Sequence, residues 1–501
     1  MPDELHPSRS PPHRRSWWRV WRLWFVLLVL VAGIVGWWFW DQQLGETELV
    51  AVIAQWDREG PWRWKDWLAS RPHPSDEDNG APIIDQMAQL RQKNPETELS
   101  IFLLADQEYH PQHLLHADQL SEYRARLVRW KETLALFPAF ASKPLAVWTI
   151  PANASPWTVL LPSVQHTRDL HNLLSDQFQV HLHDGKLKEA CQQIEFGLLL
   201  TRNMDYQPVL VGRLVNIAIV SLYCSWTQRL LALSEPDEAL LAKLQADLHR
   251  FDEQQSWKKT LLVEVGGMDQ MIREIRKGDI DISRLWGGVG SSGAWWQDQV
   301  EKVQFFFIKP RLLSARHHAE CLQYLLDGYH QSLQPWSVQL KFWKKVSENI
   351  KKERGAGNYR LAHLMLPAME KVIVAEMQMI ASIRTAQVGL AAERFRLAEK
   401  RWPVSQAELV GRFLDTVQLD PFDDQPLRFK HTEDGLIIYS IGRNEVDNEG
   451  AVLPVMDPYQ QNLDVGIRLW DVDKRRQPAL PLPKQYLDKL EESKSEQNVP
   501  K

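Results

Sequence analysis

Three hydrophobic patterns succeed one another along this chain. From Leu23 to Trp40 it reads LWFVLLVLVAGIVGWWFW, a run without a single charge. As a helix this run is about 27 Å long, which just spans a hydrocarbon core of roughly 30 Å. From about Gly80 to Glu399 apolar residues recur at spacings of three and four, the period of amphipathic helices. Helices are expected over 118–137, 165–183, 186–204, 209–232, 236–251, 254–276, 311–333 and 336–352. A longer one is expected from Tyr359 to Glu399, kinked or interrupted at Pro367. Beyond Arg401 the period shortens. A short helix near Gln406 to Gly411 is followed by strands over 427–430 and 436–440, joined by the hairpin turn Thr432-Glu433-Asp434-Gly435. A polar loop then leads to a last apolar run, Asp464 to Leu469.

The flanks of the first pattern assign it. Trp17, Trp18, Trp21 and Trp24 mark one end and Trp37, Trp38 and Trp40 the other, as in an aromatic belt. Arg14, Arg15, Arg19 and Arg22 precede it, while Asp41, Glu46 and Glu48 follow. The positive-inside rule puts the N-terminus in the cytoplasm and the rest outside. The run ends in bulky aromatics rather than a small-x-small site, so it reads as an uncleaved signal anchor. Residues 59–80, rich in Pro, Asp, Ser and Trp, read as irregular. The division expected is a cytoplasmic tail (1–22), an anchor (23–40), a linker (41–80), a helical domain (81–357), a small α+β end (358–474) and a flexible tail (475–501).

Local signals refine the helical part. Pro208 and Pro236 fit helix starts, where a missing N–H costs little. Ser234-Glu-Pro-Asp237 reads as a capping box. His183-Asp-Gly-Lys186 separates two amphipathic segments, as in a helical hairpin of the tetratricopeptide kind, although no 34-residue period recurs. The 23 tryptophans read as packing and interface anchors. A net charge of -5 supplies no basic field for nucleic acid. Cys191, Cys224 and Cys321 lie in apolar helical context and read as small buried hydrophobes.

Motifs for chemistry are sparse. Gly288-Val-Gly-Ser-Ser-Gly293 matches G-x-G-x-x-G, but a helical segment precedes it and no βαβ unit surrounds it, so it reads as a loop. His110, His113 and His116, and the set His317, His318, Glu320 and Cys321, lack the spacing of a zinc motif and read as surface or interface residues. No nucleophile elbow or Cys/His signature appears.

The C-terminal end carries a resemblance. Trp402-Pro403 follows the long helix. Asp420-Pro421-Phe422 and Pro426-Leu427-Arg428-Phe429 stand at the first strand, Ile438-Tyr439-Ser440-Ile441-Gly442-Arg443-Asn444 at the second, and Asp464-Val465 at the close. This order resembles the globular part of type II secretion major pseudopilins. The resemblance implies a calcium ion in the polar loop, with Asn444, Asp447, Asn448 and Asp464 as oxygen ligands. It does not imply polymerisation, because the anchor lies far upstream of the long helix and lacks a prepilin-peptidase site. The whole layout also resembles membrane-anchored envelope proteins of planctomycete-type bacteria.

The fold class expected is therefore mainly α: a transmembrane helix, a helical-hairpin body, and a small α+β end with a long helix and a short antiparallel sheet. The function expected is a membrane-anchored scaffold of the bacterial cell envelope, in the cytoplasmic membrane with its bulk outside. Its expected partners are envelope proteins, linked to a secretion- or assembly-like system. The alternative is an envelope hydrolase with its site in the helical domain.

Overall fold

The computed structural model describes residues 15–93, 110–143, 145–156, 162–206, 209–252, 254–279, 314–355, 366–452 and 463–482. The helices are α1 (Arg15–Glu59), α2 (Trp64–Ser70), α3 (Ala81–Lys93), α4 (Ala117–Arg129), α5 (Lys131–Leu134), α6 (Phe137–Ala141), α7 (Pro162–His183) and α8 (Leu187–Asn203). Then follow α9 (Leu210–Leu233), α10 (Glu238–His249), α11 (Gln254–Lys277), α12 (Ala315–Gln331), α13 (Trp336–Gly355) and α14 (Pro367–Glu399). Three strands close the chain: β1 (Arg428–Thr432), β2 (Gly435–Ser440) and β3 (Val465–Trp470). The sheet is an antiparallel meander in the order β1-β2-β3, with Phe429 opposite Ile438 and Ile438 opposite Ile467. A mainly helical chain with a small sheet is thus what the periodicity predicted.

α1 is one unbroken helix of 45 residues. It is long and apolar enough to cross a membrane, and no part of its apolar window is buried among the described residues. α9 passes the same test of length and composition, but 67% of its apolar window is buried inside the body. It is a core helix. Glu264 of α11 caps its first turn, accepting the Leu210 N–H at 3.0 Å.

The long helix α14 is the axis of the body. Residues 372–383 are buried almost without interruption, so this helix is enclosed on every side. α9, α10 and α13 pack along it, and β2 and β3 cover its C-terminal half. One apolar core therefore runs from Leu49 through Ile383 and Leu390 to Leu469. Polar ties cross the same junction. Arg213 of α9 pairs with Glu376 of α14 in the interior, and Gln228 of α9 accepts the Arg468 N–H of β3 at 2.8 Å.

Four expectations are corrected. The 41–80 stretch is not a linker: α1 continues to Glu59, α2 follows, and Trp56, Trp62, Trp64 and Trp67 are all buried. Their indole N–H groups explain why the stretch holds its shape. Trp56 donates to the Leu322 carbonyl at 3.1 Å, Trp62 to Asp57 at 2.8 Å and Trp64 to the Ala154 carbonyl at 2.7 Å. Pro367 starts α14 instead of kinking it, in the first turn where no N–H is needed. The cap of α10 is Asp237, whose carboxylate accepts the Leu240 N–H at 2.8 Å, while Ser234 turns back to the Leu230 carbonyl. The tail is not free over its described residues, 475–482. Arg475 is buried against Glu393, and Gln477 bonds the Gln112 carbonyl at 2.8 Å.

A buried histidine makes the core sensitive to acid. His171 of α7 lies between the Tyr223 hydroxyl at Nδ1 and the Thr201 hydroxyl at Nε2. Thr201 donates its own proton to the Gly197 carbonyl at 2.8 Å. Nε2 then carries the hydrogen, and in the neutral ring Nδ1 accepts from Tyr223. Burial pushes its pKa down to about 3. A depressed histidine pKa means that protons favour the unfolded chain, so the contribution is intact above about pH 6.5 and is lost as pH falls toward 3. Lowering pH from 7 to 5 should cost about 2 kcal/mol at this residue. Denaturant melts across that range should show the loss, and His171→Gln should flatten it.

Candidate functional site

Among the described residues two places stand out for the polar side chains they gather. The first is the C-terminal loop. Asp464, just before β3, spends both oxygens on the loop backbone: Oδ1 accepts the Asn448 N–H at 3.1 Å and Oδ2 the Gly450 N–H at 2.7 Å. Asn444 donates its amide to the Asn448 side chain at 2.8 Å. Asp447 accepts from Tyr439 at 3.2 Å, from the Glu449 N–H at 2.8 Å and from Arg428 Nε at 3.1 Å. Residues 453–462 of this loop lie outside the described residues.

The four expected calcium ligands therefore share one loop, but among the described residues their oxygens are engaged with one another, with backbone N–H groups and with Arg428. Calcium needs six to eight oxygens turned toward one point. Here each Asp464 oxygen accepts a backbone N–H group, and Asp447 faces a guanidinium. That guanidinium is the local cation. Arg428 of β1 bonds Asp447 through Nε, Asp420 through Nη1 at 3.1 Å and Asp423 through Nη2 at 2.6 Å. Asp420 is fully buried and also accepts from the Phe422 and Ile441 N–H groups and the Ser440 hydroxyl. Burial pushes its carboxyl above the usual range, against the pull of those donors. Asp464 is shifted the same way for the same reason. Arg428, Asp420 and Asp423 were missed as a set. The signal was present as an acidic Asp420-Pro-Phe-Asp-Asp424 run with one arginine shortly after it.

The second place is the seam between α1 and α12. It holds a cavity of about 720 Å³ that begins at Trp37 and Asp41, where the apolar stretch of α1 ends. Arg316 of α12 reaches Asp41 at 2.9 Å and Glu48 at 3.5 Å. Gly45 makes the approach close, since a Cβ there would lie 2.7 Å from the Arg316 backbone nitrogen. Further along, Arg276 of α11 pairs with Glu46, and His330 of α12 meets Glu59 at 2.9 Å.

The remaining candidates stay apart or serve structure. The G-x-G-x-x-G run, Gly288 to Gly293, lies outside the described residues. His110 and His113 stack edge to face at 5.1 Å, His113 bonds the Pro478 carbonyl at 2.6 Å, and His116 caps α4. His317 and His318 are buried in α12, where surface or interface positions were expected. His318 faces Asp269 at 3.0 Å, which in turn accepts from Arg273 at 2.8 Å. Burial lowers the His318 pKa, with Asp269 pulling it the other way. Cys191, Cys224 and Cys321 are free and buried, as expected, and burial raises each thiol pKa. Among the described residues no group of three or more His, Cys, Asp or Glu is placed to hold a metal. Comparison of the chain with protein-family models, with curated proteins and with solved structures finds no match.

Proposed function

We propose that this chain is a single-pass scaffold of the bacterial cell envelope, with its N-terminus in the cytoplasm and its helical body outside. The observation that carries the reading is the continuity of α1. One helix leaves the apolar stretch and enters the body without a hinge, and Arg316, Arg276 and His330 tie it down at Asp41, Glu46 and Glu59. A flexible linker would let the body sweep a volume. This stalk instead holds it at a fixed height and rotation over the membrane, which suits a part that positions other envelope proteins. The arginines before the apolar stretch supply the orientation.

The test is an affinity pull-down of the full chain from detergent-solubilised membranes, with calcium and with a chelator. A reproducible set of envelope proteins is expected, unchanged by the chelator because Arg428 holds the loop. A chain that comes out alone in both conditions sinks the scaffold reading and brings the hydrolase forward.

A further inference from the structure

We propose that residues 476–482 form an acid-released clasp, closed on the helical body while His183 is neutral and opened when His183 takes up a proton. Directed bonds hold the clasp. The Arg476 N–H donates to the Ala232 carbonyl near the end of α9 at 3.1 Å. Its guanidinium donates to two carbonyls at the end of α7, Leu182 at 3.2 Å and His183 at 2.5 Å, where a helix leaves carbonyls without partners of its own. Gln477 donates to the Gln112 carbonyl at 2.8 Å and accepts the Leu114 N–H at 2.9 Å. His113 adds its Nδ1 bond to the Pro478 carbonyl. Pro478, Leu480 and Pro481 are exposed and Leu482 is buried, so bonds do more of the holding than apolar burial. Closure also keeps Arg476 at φ 52°, a left-handed conformation that costs a non-glycine residue energy and that opening relieves.

The trigger is the charge around His183. Its ring faces three guanidiniums, Arg476 of the clasp, Arg124 of α4 and Arg229 of α9. The acidic group it faces, Asp184, is tied to Arg124 at 2.7 Å. Nδ1 of the ring is buried without a bond partner among the described residues. A neutral imidazole tolerates this setting, whereas an imidazolium would be a fourth cation in it. Burial, together with the three guanidiniums, lowers the His183 pKa against the pull of Asp184. When the clasp opens, Arg124 and Arg229 stay with the body and Arg476 leaves. The open state therefore binds the proton more tightly, and linkage makes the closed state lose ground as pH falls below about 6.5. The end of α7 also attracts a proton, but it does so with the clasp open or shut. His113 carries its hydrogen on Nδ1 in either charge state, so its bond to Pro478 survives acid. Arg475, paired with Glu393 just before the clasp, keeps the chain in place up to that point.

Hydrogen exchange of the full chain in mild detergent tests this, read by mass spectrometry on fragments covering 112–116 and 474–480 and corrected for the intrinsic effect of pH. The Gln477 and Leu114 amides report closure directly, since each donates across the clasp. Their protection should fall about tenfold between pH 7 and pH 5, the scale of a one-unit difference in histidine pKa between the two states. His183→Gln should remove the fall and keep the protection seen at pH 7. Arg476→Gln should lower the protection at pH 7 and also remove the fall, because the cation that penalises the proton is gone. Both variants retain His171, so an acid weakening of the whole body would show in all three chains alike. Equal protection at the two pH values in the unaltered chain overturns the proposal, and so does a fall that persists in His183→Gln or in Arg476→Gln.

Discussion

Glu393→Ala should destabilise the protein by about 3–5 kcal/mol, the scale for removing one partner of a buried ion pair. Glu393 of α14 is wholly buried. Its two oxygens accept from Arg475 at 2.9 Å each, and Arg396 bonds the same carboxylate at 2.7 and 3.0 Å. Burial alone would raise its pKa, but the two guanidiniums outweigh it and hold the carboxyl below the usual range. Alanine would leave Arg475 inside with no counter-charge, and Arg475 also bonds the Trp470 and Ser234 carbonyls. One residue thus closes the tail over β3 and the end of α9. Chemical denaturation of the purified chain checks the size of the effect. Replacing Glu393 and Arg475 together by leucine and methionine should cost far less than the single change, because no unpaired charge then remains. A single-variant loss below 1 kcal/mol would mean that the tail does not seal the core.

The sequence revealed the body more readily than its joints. α8, α9, α11 and α13 begin within one residue of their expected starts, and both hairpin strands fall within two residues of theirs. Their apolar period is local, so it can be read without knowing the partner. Arg475 and Glu393 are 82 positions apart, and nothing local joins them. The 41–80 stretch was misread for a related reason. Its Pro, Asp and Ser are loop-like by composition, while the burial of Trp62 and Trp64 depends on distant partners at Gly266 and Ala154. At the C-terminal loop, the type and place of the polar residues were legible. That a guanidinium would fill the centre was not, because it depends on the hairpin turning Arg428 toward Asp447.

Gly266→Ala should be among the most damaging single-methyl changes in the helical body. A Cβ built at Gly266 of α11 would lie 2.2 Å from the Trp62 carbonyl oxygen and 2.7 Å from the Trp64 backbone nitrogen. A flexible side chain could swing away from such a contact, but these atoms are backbone. To make room, α2 and the turn before it must move off α11. That movement strains the Trp64 hydrogen bond to Ala154 and the contact between the Trp56 and Trp62 rings, whose centroids lie 5.7 Å apart. Overpacking in a well-packed core costs about 1–3 kcal/mol, and a backbone clash belongs at or above the top of that range. The expected result is a lower melting temperature together with easier protease cleavage within 60–80, while α14 and the sheet keep their protection from hydrogen exchange. Gly267→Ala, one residue on, meets only the Trp64 ring and Pro156 at 3.5 Å or more, an ordinary contact. It should be close to neutral, because alanine is also the better helix former. Equal stability of the two variants would show that α2 does not bear on α11, and would return residues 60–80 to the status of a linker.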